Sequence, residues 1–81
     1  MAYNVMAVVV NHRSKNSTEI QKVFTEYGCL IKMRLGLHEA GSVCSEDGLI
    51  ILQLDGERAE IECLRDALND IGGVSAKNME V

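Results

Sequence analysis

The chain has 81 residues, of which 47% are hydrophobic and 25% are charged, and its 12 acidic against 8 basic side chains give a net charge of −4. This composition fits one ordinary domain over residues 1–81 and excludes a second. An acidic chain with scattered basic residues is not expected to bind nucleic acid directly, because that affinity comes largely from Lys and Arg. The apolar runs Val5–Val10 and Leu49–Leu54 are far shorter than the ~18–20 residues that span a bilayer. We therefore expect no membrane association and a cytoplasmic protein.

The first half of the chain predicts a strand, a helix and a second strand. Residues 3–10 are rich in β-branched side chains, which favours a strand. Two overlapping capping boxes within residues 16–21 predict the start of a helix that extends to about Tyr27, with Gly28 suited to end it. Residues 31–38 alternate between apolar and polar, which predicts a half-buried strand. Its apolar face would carry Ile31, Met33, Leu35 and Leu37.

The second half predicts a loop, a strand, a helix and a last strand. Residues 40–48 collect Gly, Ser and Asp, which is typical of a loop, and Leu49–Leu54 is apolar enough for a strand buried on both faces. A helix is expected over 57–71, ended by Gly72-Gly73, before a strand over 74–81. The order βαββαβ predicts an α+β, ferredoxin-like fold with strand order 4-1-3-2 and both helices on one face of an antiparallel sheet.

The apolar character of strands 1 and 3 predicts self-association. Two helices cover only one face of the sheet, yet both central strands carry apolar residues on both faces. The uncovered face would expose more apolar surface than monomers usually leave in water. We therefore expect a homodimer or homotetramer packed sheet to sheet, with the interface containing Val8, Leu49, Ile51 and Gln53.

The sequence contains no motif that indicates catalysis. It lacks a nucleophile elbow, a phosphate-binding glycine loop and an H-E-x-x-H zinc motif. The acidic residues of the second helix are expected on its solvent side. We therefore expect neither an enzyme nor a cofactor.

Three cysteines without a C-x-x-C spacing fit neither a disulfide framework nor a structural zinc site. Cys29 and Cys63 lie near apolar helix positions, which predicts that they are small core residues. Cys44 lies in the polar loop instead.

One candidate effector site is the turn between strand 1 and helix 1. Basic side chains here precede the first turn of a helix, whose free N–H groups favour an anion. The site would contain Asn11, His12, Arg13, Lys15 and Asn16. The alternative is a solvated basic turn on an acidic protein.

A second candidate site is a metal centre that uses His38 and Cys44. These side chains are six positions apart and suit nickel, copper or zinc. Because one chain offers only two such ligands here, a neighbouring subunit would have to add another, such as His12 or Cys29. The alternative is that Cys44 is an incidental loop thiol.

Several of these segments together resemble a known family. The element order, the Arg34–Leu37 segment, the apolar strand after Asp47-Gly48 and the closing residues 64–77 resemble the iron-only hydrogenase system regulators. The resemblance spans nearly the whole chain. That family is similar in fold to ACT regulatory domains and to the sensing domain of the nickel-responsive repressor. The resemblance therefore implies an ACT-like, oligomeric regulatory domain that senses a small ligand.

Two departures from these patterns bear on the ligand. ACT domains that bind amino acids commonly have an Asp…Pro-Gly turn after strand 1, whereas this chain contains no proline and has residues 11–16 there. The nickel repressor has two His on strand 2 and a Cys directly before strand 3. Here His38 matches one His, while Gly36 and Gly48 stand at the other two positions. The resemblance therefore implies neither an amino-acid effector nor nickel binding of that kind.

Overall fold

The computed structural model describes residues 3–11, 17–37 and 47–81. Within these ranges every predicted helix and strand is present, with ends within about two residues of the prediction. In chain order the elements are β1 (Asn4–Asn11), α1 (Ser17–Glu26), a 3₁₀ helix (Gly28–Leu30), β2 (Ile31–Leu37), β3 (Asp47–Leu54), α2 (Arg58–Asn69) and β4 (Val74–Glu80).

The strands form one antiparallel sheet in the order β2-β3-β1-β4. This confirms the predicted fold and places β1 and β3 at the centre. The register pairs Val8 of β1 with Ile50 of β3 on one side and with Ala76 of β4 on the other. Because side chains alternate between faces along a strand, this row of residues lies on a single face of the sheet.

The core lies between the sheet and the two helices. Met6, Val8 and Leu52 of the central strands are fully buried there. The helices contribute one apolar stripe each, as their 3.6-residue periodicity predicts. These stripes contain Ile20 and Phe24 of α1 and Ile61, Leu64 and Leu68 of α2. The prediction that Val8 lies at a sheet-to-sheet interface is therefore wrong, because its side chain points towards the helices.

The register of β2 differs from the predicted alternation. An irregularity between Ile31 and Met33 leaves Lys32 without a partner on β3. Such a bulge shifts every following side chain to the opposite face. Ile31 therefore packs against the core, while Met33 and Leu35 lie on the face that the helices do not cover, so the prediction that Ile31 shares their face is wrong.

Two further predictions, for the cysteines and for Gly28, are wrong. Cys29 and Cys63 are exposed rather than part of the core, because their neighbours Leu30 and Leu64 take the inward positions. Gly28 begins the 3₁₀ helix. The left-handed backbone occurs instead at Gly73, with φ 82°, in the turn that connects α2 to β4, where glycine tolerates it. None of the helices in the described part of the chain is both long and apolar enough to cross a membrane.

Candidate functional site

The face of the sheet opposite the helices, called the open face below, is an uncovered and mainly apolar surface of the described structure. It is built from alternate residues of all four strands, so its side chains form rows across the sheet. The rows contain Leu49, Val9 and Ser75; Leu35, Ile51, Ala7 and Lys77; and Met33, Gln53, Val5 and Met79.

Large apolar side chains of the open face are strongly exposed. Met33 is 59% exposed and Leu35 51%, while Met79 at the other edge is 62% exposed. Val9 and Leu49, near the centre, are 42% and 36% exposed. Single exposed apolar residues are common, but a contiguous apolar patch marks a surface that binds something.

A shallow apolar recess lies on the open face over β1, β2 and β3. Its volume is about 260 Å³. Tyr3 and Gln53 contribute the polar atoms among the side chains that line it. The remaining lining is apolar: Val5, Met33, Leu35, Ile51 and Leu52. A surface of this kind accepts apolar groups and offers little to orient a charged small molecule.

Charge is confined to the rim of the open face. Among the residues of its three rows, Lys77 carries the one charge, and it lies on the edge strand β4. A long lysine side chain at an edge keeps its ammonium group in water when the apolar centre is covered. An apolar centre with a polar rim is the usual anatomy of a protein interface.

The structure places three of the four predicted interface residues on this face. Leu49, Ile51 and Gln53 lie side by side on β3. The sequence reasoning missed the contributions of β2, because it predicted a half-buried strand and did not include its apolar side chains in the interface. The alternation of β2 was visible in the sequence, but the bulge that decides which face it serves was not.

Of the predicted effector site, only Asn11 lies within the described residues; His12, Arg13, Lys15 and Asn16 lie outside them. Asn11 ends β1, and its N–H donates a hydrogen bond to the carbonyl of Gly73 at 2.9 Å. The start of α1 and the end of α2 flank a recess of about 320 Å³ at this end of the molecule. Glu19 and Asp70 line it, and the negative charges of their carboxylates would repel an anion from that recess.

The predicted metal ligands His38 and Cys44 also lie outside the described residues. Cys29, a candidate ligand from a neighbouring subunit, is exposed. Across residues 3–11, 17–37 and 47–81, no three His, Cys, Asp or Glu side chains come together to hold a metal ion. The metal site therefore stays a prediction.

A raised pKa is found in the helical layer, away from the open face. Desolvation raises the pKa of the Tyr27 phenol above its ordinary 10.0, and the negative charges of Glu26 and Cys63 raise it further. Because the neutral phenol is favoured in the folded protein, Tyr27 contributes stability that is present below pH 10 and decreases as the pH rises through the folded pKa.

Comparison with known proteins identifies relatives in structure. No protein-family model and no curated protein matches the chain. The fold is similar to the uncharacterized protein TM1266 from Thermotoga maritima, with a TM-score of 0.84 and 21% identity over 100% of this chain and 99% of that one. It is also similar to the ACT domain of GTP pyrophosphokinase from Chlorobium tepidum, with a TM-score of 0.72 and 13% identity over 95% and 96% of the two chains.

A third similar structure is CPII, a nitrogen regulatory PII-like protein from Thiomonas intermedia K12, bound to ADP and bicarbonate. The TM-score is 0.62 and the identity 8%, over 100% of this chain and 89% of CPII. At identities this low, the structural similarity establishes the fold alone. The chain has an ACT-like, ferredoxin-like fold.

Proposed function

We propose that the chain is a non-enzymatic regulatory domain that self-associates through the open face of its sheet and binds a small effector. The observation that carries the proposal is the exposure of large apolar side chains on all four strands of that face. A folded protein keeps such a surface because another surface covers it.

Burial of the apolar side chains of the open face would drive self-association. Burial of about 500 Å² of apolar surface contributes on the order of 12 kcal/mol at ~25 cal/mol per Å², before the costs of association. The row through its centre runs Leu35, Ile51, Ala7 and Lys77. Two copies related by a two-fold axis would therefore pack apolar centres together and keep both Lys77 ammonium groups at the rim.

The structural relatives support a regulatory role. One of them is an ACT domain, which is part of a GTP pyrophosphokinase, and another is a nitrogen regulatory protein that binds ADP and bicarbonate. The resemblance of the chain to the iron-only hydrogenase system regulators adds a candidate regulated system. We therefore propose that the domain regulates an iron-only hydrogenase system.

The turn after β1 is the proposed effector site. Asn11 is fixed there by its hydrogen bond to Gly73, and the basic residues that follow it in the sequence, Arg13 and Lys15, would supply positive charge for an anionic group. An effector bound at a junction of subunits shifts the assembly by its different affinity for two arrangements.

Native mass spectrometry of the freshly purified protein tests the proposal. We expect a dimer or tetramer, because the open face requires a cover. Any retained mass would distinguish an organic effector from a metal ion held by His38 and Cys44. A monomer at micromolar concentration would contradict self-association.

A further inference from the structure

The two edges of the sheet differ near their centres, where the outward backbone groups of Ala76 on β4 have a side-chain partner. At the β4 edge, the Asn69 side chain of α2 forms two hydrogen bonds with Ala76. Its Nδ2 donates to the Ala76 carbonyl at 3.0 Å, and its Oδ1 accepts from the Ala76 N–H at 2.7 Å. The carboxamide thus takes the place of a neighbouring strand. The β4 edge is blocked at its centre.

The two bonds to Ala76 also show which backbone groups of β2 point away from the sheet, because the direction of these groups can be followed from strand to strand. Because Ala76 directs its N–H and carbonyl away from β1, its partner Val8 directs these groups towards β3. Val8 therefore bonds to Ile50, and Ile50 turns its backbone groups away from Gly36 of β2. By the same alternation, Arg34 and Gly36 point their N–H and carbonyl groups away from the sheet.

Nothing in the described part of the chain covers these outward groups. No described residue bonds to the outward N–H or carbonyl of Arg34 or Gly36. A Cβ built on Gly36 would meet no atom within 4 Å, so this glycine is not required by packing. Glycine within a strand often marks a place where another backbone approaches closely.

The side chains of β2 are apolar on one face of this edge and basic on the other. Met33 and Leu35 lie on the open face and are more than half exposed. On the other face, the Arg34 guanidinium stacks 4.6 Å from the centre of the Phe24 ring and donates to Gln21 Oε1 at 3.4 Å. These contacts hold the guanidinium in place while its charge is not neutralised by any carboxylate of the described residues. The nearby cation Lys32 has Asp55 at 3.6 Å.

A second copy of this chain fits the β2 edge poorly. In antiparallel registers centred on Arg34 or Leu35, the two Arg34 side chains would lie directly opposite or diagonal to each other. Like charges directly opposite each other destabilise a strand pair, and diagonal neighbours remain within reach of each other when the side chains are long. The β4 strand of another copy is hindered as well, because Asn69 occupies its edge at Ala76.

We propose that the β2 edge binds an extended segment of a different protein, in which acidic and apolar side chains alternate. Its backbone would pair with Arg34 and Gly36 by strand addition. Its acidic side chains would face Arg34, and its apolar side chains would extend the row of Met33 and Leu35. This surface adjoins the self-association face, with which it shares Met33 and Leu35, but it uses the outward backbone groups of β2, and it gives the regulatory domain a means to contact a partner.

Amide hydrogen exchange measured by NMR tests this proposal with a synthetic peptide of alternating glutamate and valine. We expect excess peptide to slow exchange of the Arg34 and Gly36 amides by about tenfold. A lysine–valine peptide should leave both amides unchanged. The Ala76 amide, already bonded to Asn69, is the internal control and should not respond.

Two variants and a control variant keep the test decisive. Gly36→Pro removes the outward N–H without touching the β2–β3 ladder, so we expect the protein to fold and to lose binding of the glutamate peptide. The double variant Lys32→Glu with Arg34→Glu should prefer the lysine peptide, whereas Lys77→Glu, on the opposite edge strand, should leave the preference as it is.

Two results would overturn the proposal. One is unchanged exchange at Arg34 and Gly36 with either peptide. The other is protection of these amides that exists without peptide and rises with protein concentration, because a second copy would then occupy the edge.

Discussion

The two faces of the sheet share the same strands and nearly the same residue types but differ in what covers them. Val8 is fully buried beneath the helices, while Val9, the next residue, is 42% exposed. A one-residue step in a strand moves a side chain from one face to the other. Apolar composition alone therefore does not identify the core, and the face without helices marks the surface available to partners.

The edge strands show the same contrast between covered and uncovered surface. Asn69 closes one edge with its side-chain amide. The other edge has a bulge at Lys32 and two cations, which are common protections against uncontrolled strand pairing. This contrast is consistent with the two proposals, self-association through the open face and binding of an acidic partner segment at the β2 edge.

The largest expected effect comes from the same truncation on the two faces of β3. Leu52→Ala removes a fully buried side chain and should lower the free energy of unfolding by about 2–5 kcal/mol, because a cavity remains. Leu49→Ala, on the open face, should cost less than half as much in the monomer. Chemical denaturation over a range of protein concentrations measures both. Equal losses for the two variants in the monomer would remove the distinction between the faces.

An intermediate effect is expected at the blocked edge. Asn69→Ala removes both bonds to Ala76 and should cost about 1–3 kcal/mol, because partly buried backbone groups lose their partners. Asn69→Asp retains the acceptor for the Ala76 N–H but sets a carboxylate oxygen against the Ala76 carbonyl, so it should also be destabilising. Thermal unfolding ranks the variants, and an Asn69→Ala protein as stable as the wild type would show that the cap contributes nothing.

The smallest expected effect concerns the place where the helical layer meets β2. Arg34→Ala removes the stacking on Phe24 and should lower stability by about 0.5–1 kcal/mol. Lys32→Ala is the matched control, because its ion pair with Asp55 is largely exposed and contributes little. Urea unfolding at low and high salt compares them; a larger loss for Lys32→Ala would contradict the assigned role of Arg34.

Most of the fold could be predicted from periodicity and turn residues. The apolar stripes of α1 and α2 and the composition of β1 and β3 are local signals, and they sufficed for the element order and the strand order. The positions of Val8 and Ile31 were not predictable in this way. Both depend on register between strands, which is decided by pairing over long sequence separations rather than by neighbouring residues.

The sequence predicted that the sheet has an uncovered apolar face, but it identified only some of the residues that form this face. Apolar runs without Gly or Pro indicated an uncovered face, and Leu49 and Ile51 lie on it. The role of Met33 follows from the bulge in β2, and the cap by Asn69 follows from the packing of α2 on β4. Neither has a signature in the local sequence, because each arises only when distant elements meet.

The central claim is that the open face is the self-association surface. Sedimentation equilibrium of Ile51→Glu, beside the wild type at the same concentrations, tests it most directly. The account predicts an oligomeric wild type and a monomeric variant with native circular dichroism, because a carboxylate would be buried without a partner at the centre of the interface. An Ile51→Glu protein with the same oligomeric mass as the wild type would contradict it.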